Sequence, residues 1–549
     1  MKKNNTLYLF SAVLLSSALA GCGGSSSGSS SGSPPEVSDP GGQESGLSGV
    51  VRNYYTGEPI AGAVVTLNAS GLDEPLRVTS GGEGAFSFSA PEQAGRATLS
   101  GRATGFGSSS LVTSTAADAN NDSLELSLLP AQLTTTFAGD TGASLDVEGR
   151  QDIAVLPANA FGTNGTPYTG TVNGQVTILN PASDPSIIPG AYTILDENGQ
   201  PGLLTTFGAV TFDFTDENGN PLQLNSGTPV TIRIPLADGI SSSNAPASVP
   251  LAWFDETTGD WIQEGEASLV GSYYEGTVTH FTTWNTVDVY TPVDVTGRVV
   301  DGAGNPVAGA EVRAQGYDYI GMNTVLTRAD GTFSLPARAN SEILISAYRN
   351  TTSNTREVQV GSGNTALEND LILSDSAVAI TLTWAQNPRD LDSHLLGPAD
   401  ESDTHEFHVA YYRQRVVVGD TTIELDVDDT SSFGPEVVTI PSFPYAGRYR
   451  YLVHLYAGSG TIENSPARVE FSIGGQTQIF SPQNAQGSVS DWWAVADLVV
   501  DGAGNVRLDP VQQWREDEGE RFSVSGFSLN SMANPATTAA KRKYYSEAQ

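Results

Sequence analysis

The chain has 549 residues, of which 62 are Asp or Glu and 26 are Lys or Arg, so its formal charge is -36. Such a surface repels nucleic-acid phosphates and anionic headgroups, which excludes nucleic acid as a partner and favours divalent cations or cationic ligands. A single cysteine excludes intramolecular disulfides and leaves the body of the chain without thiol chemistry. The polarity comes from Ser, Thr, Asn and Gly rather than from charge, which is the composition of strands and turns. The length suits roughly three to five domains. The expected fold class is therefore all-β, with several tandem β-sandwich domains following an N-terminal tether.

Lys2 and Lys3 precede an apolar run, Leu7 to Leu15, that is too short to span a bilayer. The run closes on Leu19-Ala20-Gly21-Cys22. This resembles the lipobox of bacterial lipoproteins, which implies cleavage before Cys22, a covalent lipid on its thiol and a membrane as partner. Gly23 after the cysteine implies the outer membrane as the address. Residues 23–45 are rich in Gly and Ser, with Pro34-Pro35, and read as a flexible tether spanning roughly 25 Å.

Two later segments repeat one pattern. Residues 47–68 read LSGVVRNYYTGEPIAGAVVTLN, and residues 295–314 read VTGRVVDGAGNPVAGAEVRA. Downstream, Gly84-Ala85-Phe86-Ser87-Phe88 matches Gly331-Thr332-Phe333-Ser334-Leu335. Pro59 and Pro306 fix φ in the turn, and Gly62 and Gly309 relieve crowding before the next strand. Val64, Leu67 and Phe86, like Val312, Phe333 and Leu335, are expected to fill one sheet face. Both segments, over residues 46–130 and 291–375, resemble the carboxypeptidase regulatory-like domain. That resemblance implies a transthyretin-like, carbohydrate-binding-like sandwich without catalytic residues. Between them, residues 131–290 carry LLTTFGAVTFDFTDENGNPLQL, WFDETTGDWIQEGEA and HFTTWN, and resemble the ectodomains of cartilage intermediate layer protein and related adhesive proteins. Here Val210–Phe214 and Val230–Ile234 alternate as strands, and Trp253, Trp261 and Trp284 read as core or seam aromatics. Residues 376–510, with DLDSHLLGP and DDTSSFGPE, resemble an uncharacterised bacterial extracellular domain that implies a further sandwich. Residues 511–549 read as a polar tail.

The last module holds the candidate chemistry. Asp390 and Asp392 stand two apart on a strand, so their carboxylates leave one face, and Asp426 and Asp428 repeat the relation beside Asp429 and Glu436. Six carboxylates in tertiary contact would repel one another, and Ca²⁺, which takes oxygen ligands in flexible geometry, would resolve the repulsion. Capping of turns by the same carboxylates is the competing reading. His394 argues for a softer metal instead. His405-Glu406-Phe407-His408 departs from the His-Glu-x-x-His spacing of a zinc helix and is a weak zinc signal. The Asp-x-x-Gly-Asn runs at Asp216 and Asp301 lack the ladder of a calcium loop and read as turns. The pairs Tyr54-Tyr55, Tyr273-Tyr274, Tyr411-Tyr412 and Trp492-Trp493 are expected to split between core and surface, and an exposed ring suits a sugar face. With no G-x-S-x-G elbow, the leading expectation is a non-enzymatic surface or periplasmic lipoprotein, an adhesive or structural scaffold stabilised by Ca²⁺. Glycan capture by the two carbohydrate-binding-like modules is the alternative, and the ligand, glycan or protein, stays open.

Overall fold

A computed structural model describes residues 46–517 apart from residues 90, 92–94, 116–123, 148, 164–165, 375–376 and 404. Cys22, the tether and the end of the tail lie outside the described residues. The fold is all-β: strands dominate, and the helical elements among the described residues are two 3₁₀ turns, Pro185–Ile187 and Pro482–Asn484. Among the described residues, no helix is long and apolar enough to cross a membrane.

The repeated segments build the same sandwich twice. In the first, Leu47–Asn53 lies between Ala85–Phe88 and the parallel strand Leu124–Leu128, and the facing sheet runs Leu76–Thr79, Val64–Ala69, Arg96–Arg102, Ser109–Ser114. In the second, Val293–Asp301 holds the equivalent central place beside Thr332–Ala337, and the facing sheet runs Met322–Leu326, Glu311–Gly316, Ser341–Tyr348, Arg356–Val360. Equivalent side chains close both. The Ser80 hydroxyl donates to Ile60 O and accepts from Ala63 N, and the Thr327 hydroxyl donates to Val307 O and accepts from Ala310 N. Gly84 and Gly331 have φ of +71° and +76°, and a Cβ there would meet Val51 O at 2.5 Å and Val299 O at 2.6 Å. Only glycine fits. One expected core residue is displaced: Val64 is exposed and Val65 takes its place. Two valines in succession satisfy either register, and the pairing decides which one faces inward.

Most of the middle region forms one 11-stranded sheet. Its central strand, Pro201–Thr215, lies between Thr171–Leu179 and Thr283–Tyr290 and is buried on both faces over most of its length. The alternation read at Val210–Phe214 is therefore not a one-sided core. Trp261 and Trp284 are fully buried, and Trp253 packs against the cluster that holds Trp284. The last module faces a 6-stranded sheet with a 5-stranded one over Trp384, Trp493, Tyr449 and Phe471. Its final strand, Val506–Arg515, carries Trp514 into that core, beyond the boundary at 510 read from the sequence.

Tyr54 joins three of these regions. Its hydroxyl donates to Asp184 Oδ2 at 2.9 Å, its carbonyl accepts from Arg468 Nε at 3.0 Å, and the Arg468 guanidinium lies 4.8 Å from its ring centroid. Arg468 also pairs with Glu470 at 2.7 Å, so this buried cation is fully engaged.

Candidate functional site

Strand Asp390–Pro398 is the source of the site, because every residue in it is buried. Leu391 and Leu395 point into the sandwich core, and by strand alternation Asp390, Asp392 and His394 share the other face. The neighbouring strand Gly447–Ala457 sets His454 directly opposite Asp392, and Trp492 lies opposite His454 on the next strand. The register skips Tyr456 between Asp390 and Leu391, a bulge that leaves Tyr456 52% exposed.

The loop before Glu436–Ile440 brings the other carboxylates. It is held by Trp384 N donating to Phe433 O and by Ser432 Oγ donating to Gln386 O, and Ser432 and Phe433 both adopt positive φ. Backbone strain of this kind survives only where surrounding contacts fix it. Glu436 accepts from Ser393 N across the sandwich. Oxygens of Asp392, Asp428 and Glu436 lie within 4.8 Å of one another. Asp390 Oδ1, Asp392 Oδ2, Asp428 Oδ1 and Glu436 Oε1 are buried without a hydrogen-bond partner. Asp429 sits beside them, fully buried, with Oδ1 accepting from Ser431 N and Oγ.

The electrostatics follow. Burial, then Asp392, pushes the Asp390 carboxyl up to about 7. Burial also raises Asp392 and holds Glu436 well above the usual carboxylate range, with Asp392 and Asp428 adding to the Glu436 shift. Buried carboxylates gathered in this way disfavour one another's ionised forms. Oxygen-only donors in this number suit Ca²⁺.

Asp426 does not join them. The register shifts between Leu425 and Val427, so the bulge cancels the two-apart relation with Asp428. Its carboxylate is instead taken up at the seam with the preceding module by Asn354 Nδ2 at 2.9 Å, Thr355 N at 2.9 Å and Thr439 Oγ1 at 2.6 Å.

On the imidazole side, His394 Nδ1 and His408 Nε2 are 2.8 Å apart, and His408 Nδ1 is 2.9 Å from Tyr412 Oη. His454 stacks on Trp492 at 4.1 Å. Burial drives His394 down to about 2 and His408 down to about 4, so both rings are neutral. The weak zinc signal at His405 and His408 does not converge: His405 lies exposed against Asp400 just before strand Glu406–Val409, and His408 turns to His394. His454 was missed from the sequence because only the strand register puts it opposite Asp392. Three aromatic pairs split only in part, with Tyr54, Tyr274 and Trp493 buried and their neighbours half-buried rather than exposed. Tyr411 and Tyr412 are both exposed, since they sit in the turn closed by Ala410 and Arg413 rather than on a strand. Tyr411 lies 5.0 Å from both Tyr412 and Tyr456, which makes an aromatic rim. A cleft of about 2070 Å³, lined from all four modules, contains none of these residues.

Residues 46–128 match the carboxypeptidase regulatory-like domain. No curated protein matches the chain. Solved structures to which it is similar include the Bacillus anthracis TIE protein, at 12% identity and a TM-score of 0.14 over 60% of this chain and 50% of that one. The chain thus spans half the length of that protein. BcpA, the major pilin subunit of Bacillus cereus, matches at 10% identity and 0.14 over 60% of this chain and 99% of that one. The full-length major pilin SpaD from Corynebacterium diphtheriae matches at 10% and 0.15, over 60% and 98%.

Proposed function

We propose that the chain is a non-enzymatic extracytoplasmic scaffold, anchored by lipid at Cys22 to the outer membrane and stiffened in its last module by Ca²⁺. The observation that carries this reading is the group of buried carboxylate oxygens on Asp390, Asp392, Asp428 and Glu436 that accept no hydrogen bond. The ligands are Asp392, Asp428 and Glu436, with Asp390 and Asp429 completing the oxygen set; Asp426 is outside it. Calcium there ties strand Asp390–Pro398 to the 428–436 loop, and so one sheet of the sandwich to the other. Tyr54, Arg468 and Asp184 link the modules, which suits a load-bearing or adhesive role.

The full chain, stripped with chelator, is expected to melt at a lower temperature and to recover on adding Ca²⁺, with Glu436→Gln abolishing the recovery. An identical melt with and without chelator removes the calcium reading. Mass spectrometry of protein from the native membrane is expected to find Cys22 acylated and N-terminal; an unmodified Cys22 removes the anchor. A second reading, glycan capture, is favoured by one observation: exposed Tyr411, Tyr412 and Tyr456 form a ring platform beside the cation site. A glycan array with wild type against Tyr456→Ala separates it from the scaffold role alone.

A further inference from the structure

We infer that Asp392, His394 and His454 form a second metal site, for a zinc-class divalent ion, which shares Asp392 with the carboxylate cluster. This site stands on its own donors and holds whether or not calcium binds beside it. Geometry, burial, hydrogen bonding, donor chemistry and charge support it.

One ligand atom from each of the three residues lies within 4.8 Å of the other two, and Asp392 Oδ2 is 3.9 Å from His454 Nδ1. Tetrahedral zinc brings such atoms to about 3.3 Å, a closure that side-chain rotation supplies. His394 Nε2 is buried and has no hydrogen-bond partner, and its residue is 2% exposed. A buried imidazole nitrogen without a hydrogen-bond partner calls for an explanation, and an ion is one that the neighbouring donors supply.

The hydrogen bonds behind His394 accommodate the tautomer that a ligand needs. For Nε2 to offer a lone pair, Nδ1–H must donate to His408 Nε2; His408 Nδ1–H then donates to Tyr412 Oη, and both distances fit. Metal-bound histidines orient themselves through this kind of outer partner. Lastly, the donor set is two nitrogens and an oxygen with no sulfur available, which selects zinc, copper, nickel or cobalt over softer ions and over calcium. Three protein ligands leave one position for water or an external ligand. The rings of Tyr411 and Tyr456 lie 6.5 Å from those of His394 and His454 and border that position.

Charge argues the same way. If Asp390, Asp392, Asp428, Asp429 and Glu436 are all ionised, one Ca²⁺ leaves three net negative charges in a buried space, and a second dication leaves one.

The test uses the untagged full chain, stripped of metal and held in saturating Ca²⁺, with Zn²⁺ binding followed by equilibrium dialysis and Co²⁺ as the spectroscopic probe. One Zn²⁺ per chain is expected, with a cobalt spectrum typical of nitrogen and oxygen ligands. His394→Ala and His454→Ala should each weaken zinc roughly 100-fold or more while calcium still protects the melt. His408→Phe should weaken zinc by about 10-fold to 100-fold through loss of the outer partner. Glu436→Gln should do the reverse, losing calcium and keeping zinc. The inference is overturned if a natively folded chain takes up no Zn²⁺ at micromolar concentration, or if the His394→Ala, His454→Ala double variant binds it undiminished.

Discussion

Two sets of aspartates in this chain look alike in sequence and behave oppositely. In the turns at Asp216, Asp301 and Asp501, one carboxylate oxygen accepts from backbone N–H groups two and four residues on, and the other accepts from the side-chain amide of Asn220, Asn305 or Asn505. These bonds lower all three carboxyls below their ordinary value. At Asp390, Asp392 and Glu436 burial raises them, and oxygens are left without partners. The turns are complete within themselves. The buried cluster leaves oxygens without a hydrogen bond. Whether the oxygens are already spoken for, not how many acids stand together, separates a structural turn from a site.

Arg468 calibrates the comparison, as a buried charge with every partner in place. Arg468→Ala removes its bonds to Glu470 and Tyr54 and should cost roughly 3–5 kcal/mol, the usual penalty for breaking a buried pair. Urea unfolding would show this as a lower midpoint, with the transition splitting as the first and last modules uncouple. A loss below about 1 kcal/mol would mean the seam is not built as described.

The cluster should respond with the opposite sign. In chelator, Glu436→Gln should stabilise the full chain by about 2 kcal/mol, because it removes the cost of protonating a buried acid whose carboxyl is held well above its ordinary range. In saturating Ca²⁺ the same change should destabilise it. One variant with two signs, read by the same denaturation curves, is a result no turn carboxylate would give.

The turns should respond least. Asp301→Ala should lower the melting temperature slightly and equally with or without Ca²⁺. The sign with pH follows from the lowered carboxyls: each is ionised in the folded chain below the pH at which the unfolded chain takes up its proton. Their stabilisation is therefore present above the unfolded carboxyl value and lost as pH falls towards the lowered folded one. Acid titration of wild type against an Asp216→Ala, Asp301→Ala, Asp501→Ala triple variant would show a shallower acid limb in the variant.

Much of the fold was legible because turn chemistry is local. Pro59, Gly84 and their counterparts Pro306 and Gly331 announce the repeated sandwich from a few residues each. The site was half legible, for the same reason. Asp390 and Asp392 share a face by simple alternation, but Asp426 was lost to a bulge that alternation cannot foresee. His454 pairs with a residue far away in sequence through strand register, which is set by long-range packing. Arg468 carried no local signal at all, since its meaning depends on Tyr54, 414 residues earlier.

The central claim is the proposal that the buried acids of the last module bind Ca²⁺. Isothermal titration of Ca²⁺ into the metal-free full chain tests it most directly, since the diffuse surface charge binds only weakly and is screened by salt. The account predicts one saturable site in physiological salt, with an accompanying rise in melting temperature, both lost in Asp428→Asn and Glu436→Gln. Heat of binding that salt abolishes, or a site unchanged in those two variants, would contradict it.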